Sequence, residues 1–405
     1  MRRTSLDKLR STTLRHIAAT SAVAAICLVL SSCTATPPPN VAPAVGATIT
    51  VVSSGPTTPV TSTSDPVDSP SLDASTEPRK ETIGLEVVDG LGDWFTVVEP
   101  NESIYSWTTH NAGWTVVADV DGVLTASHEG QVTGIPYPDG YDIVDIRMSG
   151  DRLVVVDAEP QNGDYHVTVH DLNEGTFETI EEWDGHPQRH DIPYVAVDDN
   201  TLVWTTWVDD DETCLLARDL DTNEETSLAC SPTPGRYLRL PTVQDGSVTY
   251  RLDTIEPEPC MELLTIDLPG GQPAGIGHAP CQGFFGHAVG DLAVWTEMSI
   301  AGGDVSRAPL FAADSNGNIW DLGHVGAGST VMCEDRFFWR IELVDYVEIR
   351  TWAPGEPVTV VFRSEPDWYP VSSPSCSDGW VTIANAYVGV GPVVSQVLAI
   401  EANTL

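Results

Sequence analysis

Ten residues that lie between apolar runs carry side chains able to grip a ligand: Tyr141, Arg189, His190, Tyr237, Arg239, Phe284, Phe285, His287, Trp368 and Tyr369. Held around one opening, such aromatic, imidazole and guanidinium groups suit a sugar, a peptide or the tip of a protein. The same aromatics could instead wedge between packed elements as core. Catalysis would draw first on His190, Asp191 and His287, in a glycosidase- or lyase-like site assembled from distant parts of the chain. No linear motif supports that alternative, because Gly-x-Ser-x-Gly, His-Glu-x-x-His and a phosphate-binding glycine loop are all missing from the sequence. The expectation is therefore a non-catalytic binding or scaffold module, with no cofactor and no metal. His166 and His170 stand four apart, which on a strand separates them by about 13 Å. Asp219-x-Asp221-x-Asn223 and Asp314-x-Asn316-x-Asn318 place Glu224 and Ile319 where a calcium loop needs glycine, so they read as hairpin turns.

The start of the chain carries a different chemistry. Arg2, Arg3, Lys8, Arg10 and Arg15 precede an apolar run from Ile17 to Leu30 that is short for a membrane span. The run ends in Leu30-Ser31-Ser32-Cys33, which resembles the lipobox of bacterial lipoproteins. That resemblance implies a signal peptide over 1–32, acyl chains such as palmitate on Cys33, and a place on the outer face of the cell membrane. An ordinary secretory signal is the plainer alternative. From Cys33 to residue 80 the chain is rich in Thr, Pro and Ser, as in Pro37-Pro38-Pro39, and is expected to be a disordered tether. As a flexible coil it would reach on the order of 40 Å.

Residues 81–405 remain for a folded domain. The whole chain carries a net charge of -40. Five of its basic residues fall before Cys33, so the exported part is more acidic still. Such a surface repels nucleic acid and anionic headgroups. The partners expected are the membrane through the anchor, and a protein or glycan of the cell envelope. Lysine occurs only at Lys8 and Lys80, a bias toward GC-rich codons of the kind found in actinobacteria.

Two landmarks repeat through the domain. Apolar runs ending at Trp204, Tyr250, Trp295, Trp339 and Ile383 are 46, 45, 44 and 44 residues apart, and most follow a Gly, Asp or Asn turn. Asp171, Asp219, Asp267 and Asp314 end a second series at intervals of 48, 48 and 47. One period shared by two landmarks, with about four strand-like runs per unit and no amphipathic helix, predicts an all-β fold: a β-propeller of four-stranded antiparallel blades. The count is seven, with six and eight as its error bar, because the unit near 100–141 is irregular. The last unit stops at Leu405, short of a fourth strand, so Ile83 to Val88 or Trp94 to Val98 is expected to close the ring.

This grammar of strand, Gly/Asp turn, strand and Asp turn resembles the TolB-like and dipeptidyl-peptidase-like propellers. The resemblance covers the domain's architecture and carries no functional motif. The repeats also sort six cysteines. Cys214 with Cys230, and Cys260 with Cys281, occupy matching places in successive units, and Cys333 with Cys376 fall in first strands of neighbouring blades. A bridge from Cys230 to Cys260 is the alternative.

Overall fold

Each apolar run is too brief to bury itself, and its neighbour in sequence is the nearest partner, so the runs pair into antiparallel sheets. The computed structural model describes residues 80–82, 88–89 and 92–405, except 139, 160–163, 184–193, 209–211, 232–234, 256–258, 277–280, 299–306, 327–328, 366 and 388–392. The proposed signal, Cys33 and nearly all of the tether lie outside the described residues.

Seven sheets form the blades. Blade one runs from strand Tyr105–His110 to Gln131–Gly134, blade two from Asp142–Ser149 to Thr176–Trp183, and blade three from Val195–Asp198 to Glu225–Cys230. Blade four runs from Arg236–Gln244 to Ala274–Ile276, blade five from Gly283–Val289 to Ile319–Val325, and blade six from Thr330–Cys333 to Thr359–Arg363. Blade seven begins with Trp368–Val371 and Ser375–Ser377 and continues through Trp380–Tyr387 to Val394–Glu401. Each blade touches the next, and blade seven touches blade one, which closes a propeller. The expected count of seven is the observed one.

Burial explains the sequence landmarks. The middle strands of a radial sheet are covered by a neighbouring blade on both faces, so alternation disappears: Arg152–Ala158 and Trp380–Tyr387 are buried along nearly their whole length. Trp204, Trp295 and Trp339 are among the largest fully buried side chains for this reason. Outermost strands face water, and Gln131–Gly134 is exposed throughout. In blades two to seven the hairpins between first and second strands turn through left-handed residues. Asp378 and Gly379 adopt φ of 47° and 79° in succession, the pair of positive angles that a type I′ turn demands.

Ring closure uses the N-terminal segment. Phe95–Asn101 pairs antiparallel with Val394–Glu401 and supplies the fourth strand of blade seven, as expected for the segment around Trp94 to Val98. Of the alternative segment, residues 83–87 lie outside the described residues, and Val88 pairs with blade six and not with blade seven. Lys80–Thr82 adds in parallel to the outer strand of blade five, and Val88–Asp89 to that of blade six. The described pieces thus add to the rims of three successive blades.

Three disulfides form in the arrangement expected. Cys214–Cys230 staples the third and fourth strands of blade three, Cys260–Cys281 ties the third strand of blade four to the residues just before blade five, and Cys333–Cys376 joins the innermost strands of blades six and seven with a Cα separation of 5.5 Å.

Candidate functional site

Innermost strands all begin at one end of the channel, here named the upper face. The loops between blades and those after each second strand gather there. The lower face carries the hairpins between first and second strands.

On the lower face those hairpins hold one another. Asp198 of blade three accepts the Asp245 amide of blade four at 2.7 Å. Burial pushes the Asp198 carboxyl up to about 6 despite that bond, and Asp199, Asp245 and Glu334 add to the rise. The two supposed calcium motifs are hairpin turns: Asp219 caps the amides of Asp221 and Thr222, and Asp314 those of Asn316 and Asn318. Among the described residues, the group of three possible metal ligands is Glu212, Cys214 and Cys230, whose two sulfurs are joined to each other.

The predicted mouth residues separate into several clusters. Arg189, His190 and Asp191 lie outside the described residues, as does the side chain of Tyr369. Tyr237 and Arg239 sit at the start of blade four, where the Arg239 guanidinium lies 5.8 Å from the Tyr237 ring centre and the Trp207 ring lies 5.3 Å from that same centre. The buried Arg251 of the adjacent strand lies over Phe284 at 4.7 Å, and Asp253 stands between Arg251 and Arg239 at 2.6 and 3.5 Å. These residues therefore form one seam through blades three, four and five. His287 packs between Phe285 and Phe337 in the seam between blades five and six. It is buried, and burial pushes its imidazole down to about 4. His287 is thus core and is corrected out of any solvent-facing rim. Trp368 packs on Tyr387 within blade seven. Tyr141 is half-buried where blade two begins, its ring 4.7 Å from that of His166.

Two further features have no single-segment signature. Antiparallel register sets Asp157, His166 and Glu182 in one row across blade two. His166 Nδ1 lies 2.9 Å from Asp157, and Nε2 lies 3.9 Å from Glu182. The second feature is a set of aliphatic residues on the upper face, beside or just after second strands: Val120, Val208, Ile255 and Val344. Their exposure runs from 47% at Val120 to 99% at Val344, although backbone bonds such as Ile255 N to Gly235 O tie the loops down. For Val208, Ile255 and Val344 the sequence signal was an aliphatic residue four or five positions after a landmark, Trp204, Tyr250 or Trp339, and outside the strand itself.

No protein-family model and no curated protein matches the chain. Solved structures do. The chain is similar to a prolyl endopeptidase at 12% identity and a TM-score of 0.52, with 73% of this chain covered but only 50% of that one, so it spans about half the enzyme's length. It is similar at the same identity and TM-score to the β-propeller domain of the Trilobed protease from Pyrococcus furiosus, covering 73% of this chain and 95% of that domain. The fold is a β-propeller. TolB from Acinetobacter baumannii is similar at 12% identity and a TM-score of 0.39, covering 60% of this chain and 58% of TolB. At such identities the likeness speaks for the fold alone.

Proposed function

We propose that this chain is a lipid-anchored propeller on the outer side of the cell membrane that docks an envelope protein on its upper face, without catalysis. The observation that carries the reading is the set of exposed aliphatic side chains Val120, Val208, Ile255 and Val344, contributed by four different blades to one face. Aliphatic tips recruit apolar protein surface and offer nothing to the hydroxyls of a glycan. A net charge of -40 opposes burial of the same face in anionic lipid. The anchor is supported by Leu30-Ser31-Ser32-Cys33, and the tether from Cys33 to residue 80 would let the propeller work away from the bilayer.

Crosslinking on intact cells, followed by purification of the full chain, tests the docking. Substitution of Val208, Ile255 and Val344 together by Asp should abolish capture of the partner while thermal unfolding is unchanged. Capture at the wild-type level would overturn the reading. For the anchor, Cys33→Ala should end palmitate labelling and release the protein to the medium. Continued labelling would refute it.

A further inference from the structure

Blade two holds an arrangement that the docking surface does not explain. Asp157 is buried with no exposed side-chain area, and it meets His166 Nδ1 through Oδ1. Its second oxygen, Oδ2, is buried and has no hydrogen-bond partner. His166 is close to the surface, with Glu182, a largely exposed acid, on its other side. Tyr141 leans on the His166 ring at an interplanar angle of 44°. The Tyr141 hydroxyl is held above its ordinary value by desolvation and then by Asp164, Glu159, Asp157 and Glu182, so each charge that acts on it is negative.

These groups lie on one side of the blade because of the register. Leu153 and Val155 of the second strand pack with the core of blade one, whereas Val154 and Val156 pack with that of blade three. Asp157 has the parity of the first pair, which turns it toward blade one at the upper end of its strand. His166 and Glu182 follow by direct pairing.

A phenol and an imidazole with carboxylates around them form the surroundings that a guanidinium or ammonium group favours. The ring face attracts the cation, and carboxylate oxygens accept its N–H groups. A metal ion fits less well: among the described residues, His166 and its acids do not bring three ligand atoms within 4.8 Å of one another.

We propose that this site, where blade two faces blade one on the upper face, receives an arginine or lysine side chain of the docked protein. The inference rests on the docking reading and adds a charge requirement to the partner: apolar side chains over the aliphatic tips, and a cation over Tyr141.

A titration of the full chain with acetyl-Gly-Arg-Gly-amide, followed through the His166 imidazole NMR signals, measures the site without the partner. The peptide should shift those signals to saturation, and acetyl-Gly-Gln-Gly-amide should not. Tyr141→Leu should weaken binding about fivefold, while Tyr141→Phe keeps the ring face and most of the affinity. Asp121→Asn, an exposed acid at the loop after the second strand of blade one, controls for the overall negative charge and should leave binding unchanged. Equal weakening by Asp121→Asn would overturn the proposal. So would displacement of the peptide by equimolar zinc chloride with saturation of the His166 signals, which would make this a metal site. In the crosslinking experiment Tyr141→Leu should lower capture by a similar factor. Capture that survives Tyr141→Leu but fails with the Val208, Ile255 and Val344 substitutions would remove this site and leave the docking reading standing.

Discussion

Asp378 of blade seven accepts the backbone amide of Gly150 in blade two at 2.9 Å, reaching across the turn of blade one that lies between them. The same oxygen accepts Asn111 Nδ2 of blade one at 2.7 Å, and the other accepts Ser149 Oγ at 3.2 Å. One carboxylate thus ties three blades at the point where the ring closes. Asp378→Ala loses all three bonds and also places a Cβ-bearing residue without a polar side chain at φ of 47°. It should cost about 2 kcal/mol in urea unfolding. Asp378→Asn tolerates the left-handed angle and keeps one acceptor, so its cost should be about half that. Equal costs for the two variants would show that the carboxylate charge, and neither the turn conformation nor the retained acceptor, sets the stability.

The disulfides should differ in value according to the chain they enclose. Cys333–Cys376 closes 43 residues and Cys214–Cys230 closes 16. Loop-closure entropy alone then favours the first by about 1 kcal/mol. The pair Cys333→Ala and Cys376→Ala should therefore unfold at lower denaturant than the pair Cys214→Ala and Cys230→Ala. Cys333 is also buried within a core cluster shared by blades six and seven, which adds packing loss to the same side of the comparison.

The blades were legible in the sequence because second strands are buried on both faces and must be apolar without interruption. Leu202, Val203 and Trp204 illustrate it, each with no exposed surface. Turn residues and cysteine placement followed from the same repeat. The row through Asp157, His166 and Glu182 was not legible, since its members are 9 and 16 residues apart and meet only through antiparallel register. His287 was misplaced for a related reason. Sequence does not reveal which parity of an innermost strand turns into the seam, and Phe337, 50 residues further along, is what covers it. The parallel additions of Lys80–Thr82 and Val88–Asp89 were equally invisible, because they use backbone bonds at an edge and leave no side-chain pattern.

Buried ionisable groups set opposing pH trends. The Asp198 carboxyl has an ordinary value of 3.8 and a folded value of about 6. Between those limits the folded chain holds a proton that the unfolded chain has released, so this contribution to stability falls as pH rises through the window. His170 and His287 act the other way. Both are pushed by burial from 6.5 to about 4, so the unfolded chain gains protons first and their contribution is lost as pH falls from 6.5 toward 4. Asp198→Asn retains an acceptor for the Asp245 amide and removes only the first trend. Its unfolding free energy should exceed the wild-type value at pH 7, and it should drop more steeply than the wild type on acidification from pH 6 to pH 4, because the histidine trend then acts with less opposition. An unchanged pH profile would mean that Asp198 is solvated in the folded protein.

The N-terminal residues that add to the rims should be a structural part of the propeller, and Trp94 is where this can be measured. Its indole Nε1 donates to Val361 O of blade six at 2.8 Å, and its ring meets Phe362 edge-on at 5.7 Å. The side chain packs against the core cluster that blades six and seven share, immediately before Phe95–Asn101 enters blade seven as its outer strand. Trp94→Phe loses the hydrogen bond but keeps much of the apolar contact, and should cost about 1 kcal/mol. Trp94→Ala loses both and should cost about 2 kcal/mol, less than a fully buried tryptophan because the residue is only partly buried. Beyond the global cost, the loss should be local. If the strand Phe95–Asn101 is held mainly through Trp94, hydrogen exchange in Trp94→Ala should quicken there and at its partner Val394–Glu401, while the amides of blade three keep their protection. Uniform acceleration across all blades would instead show that the ring opens only as a whole, with closure by this segment inseparable from global unfolding.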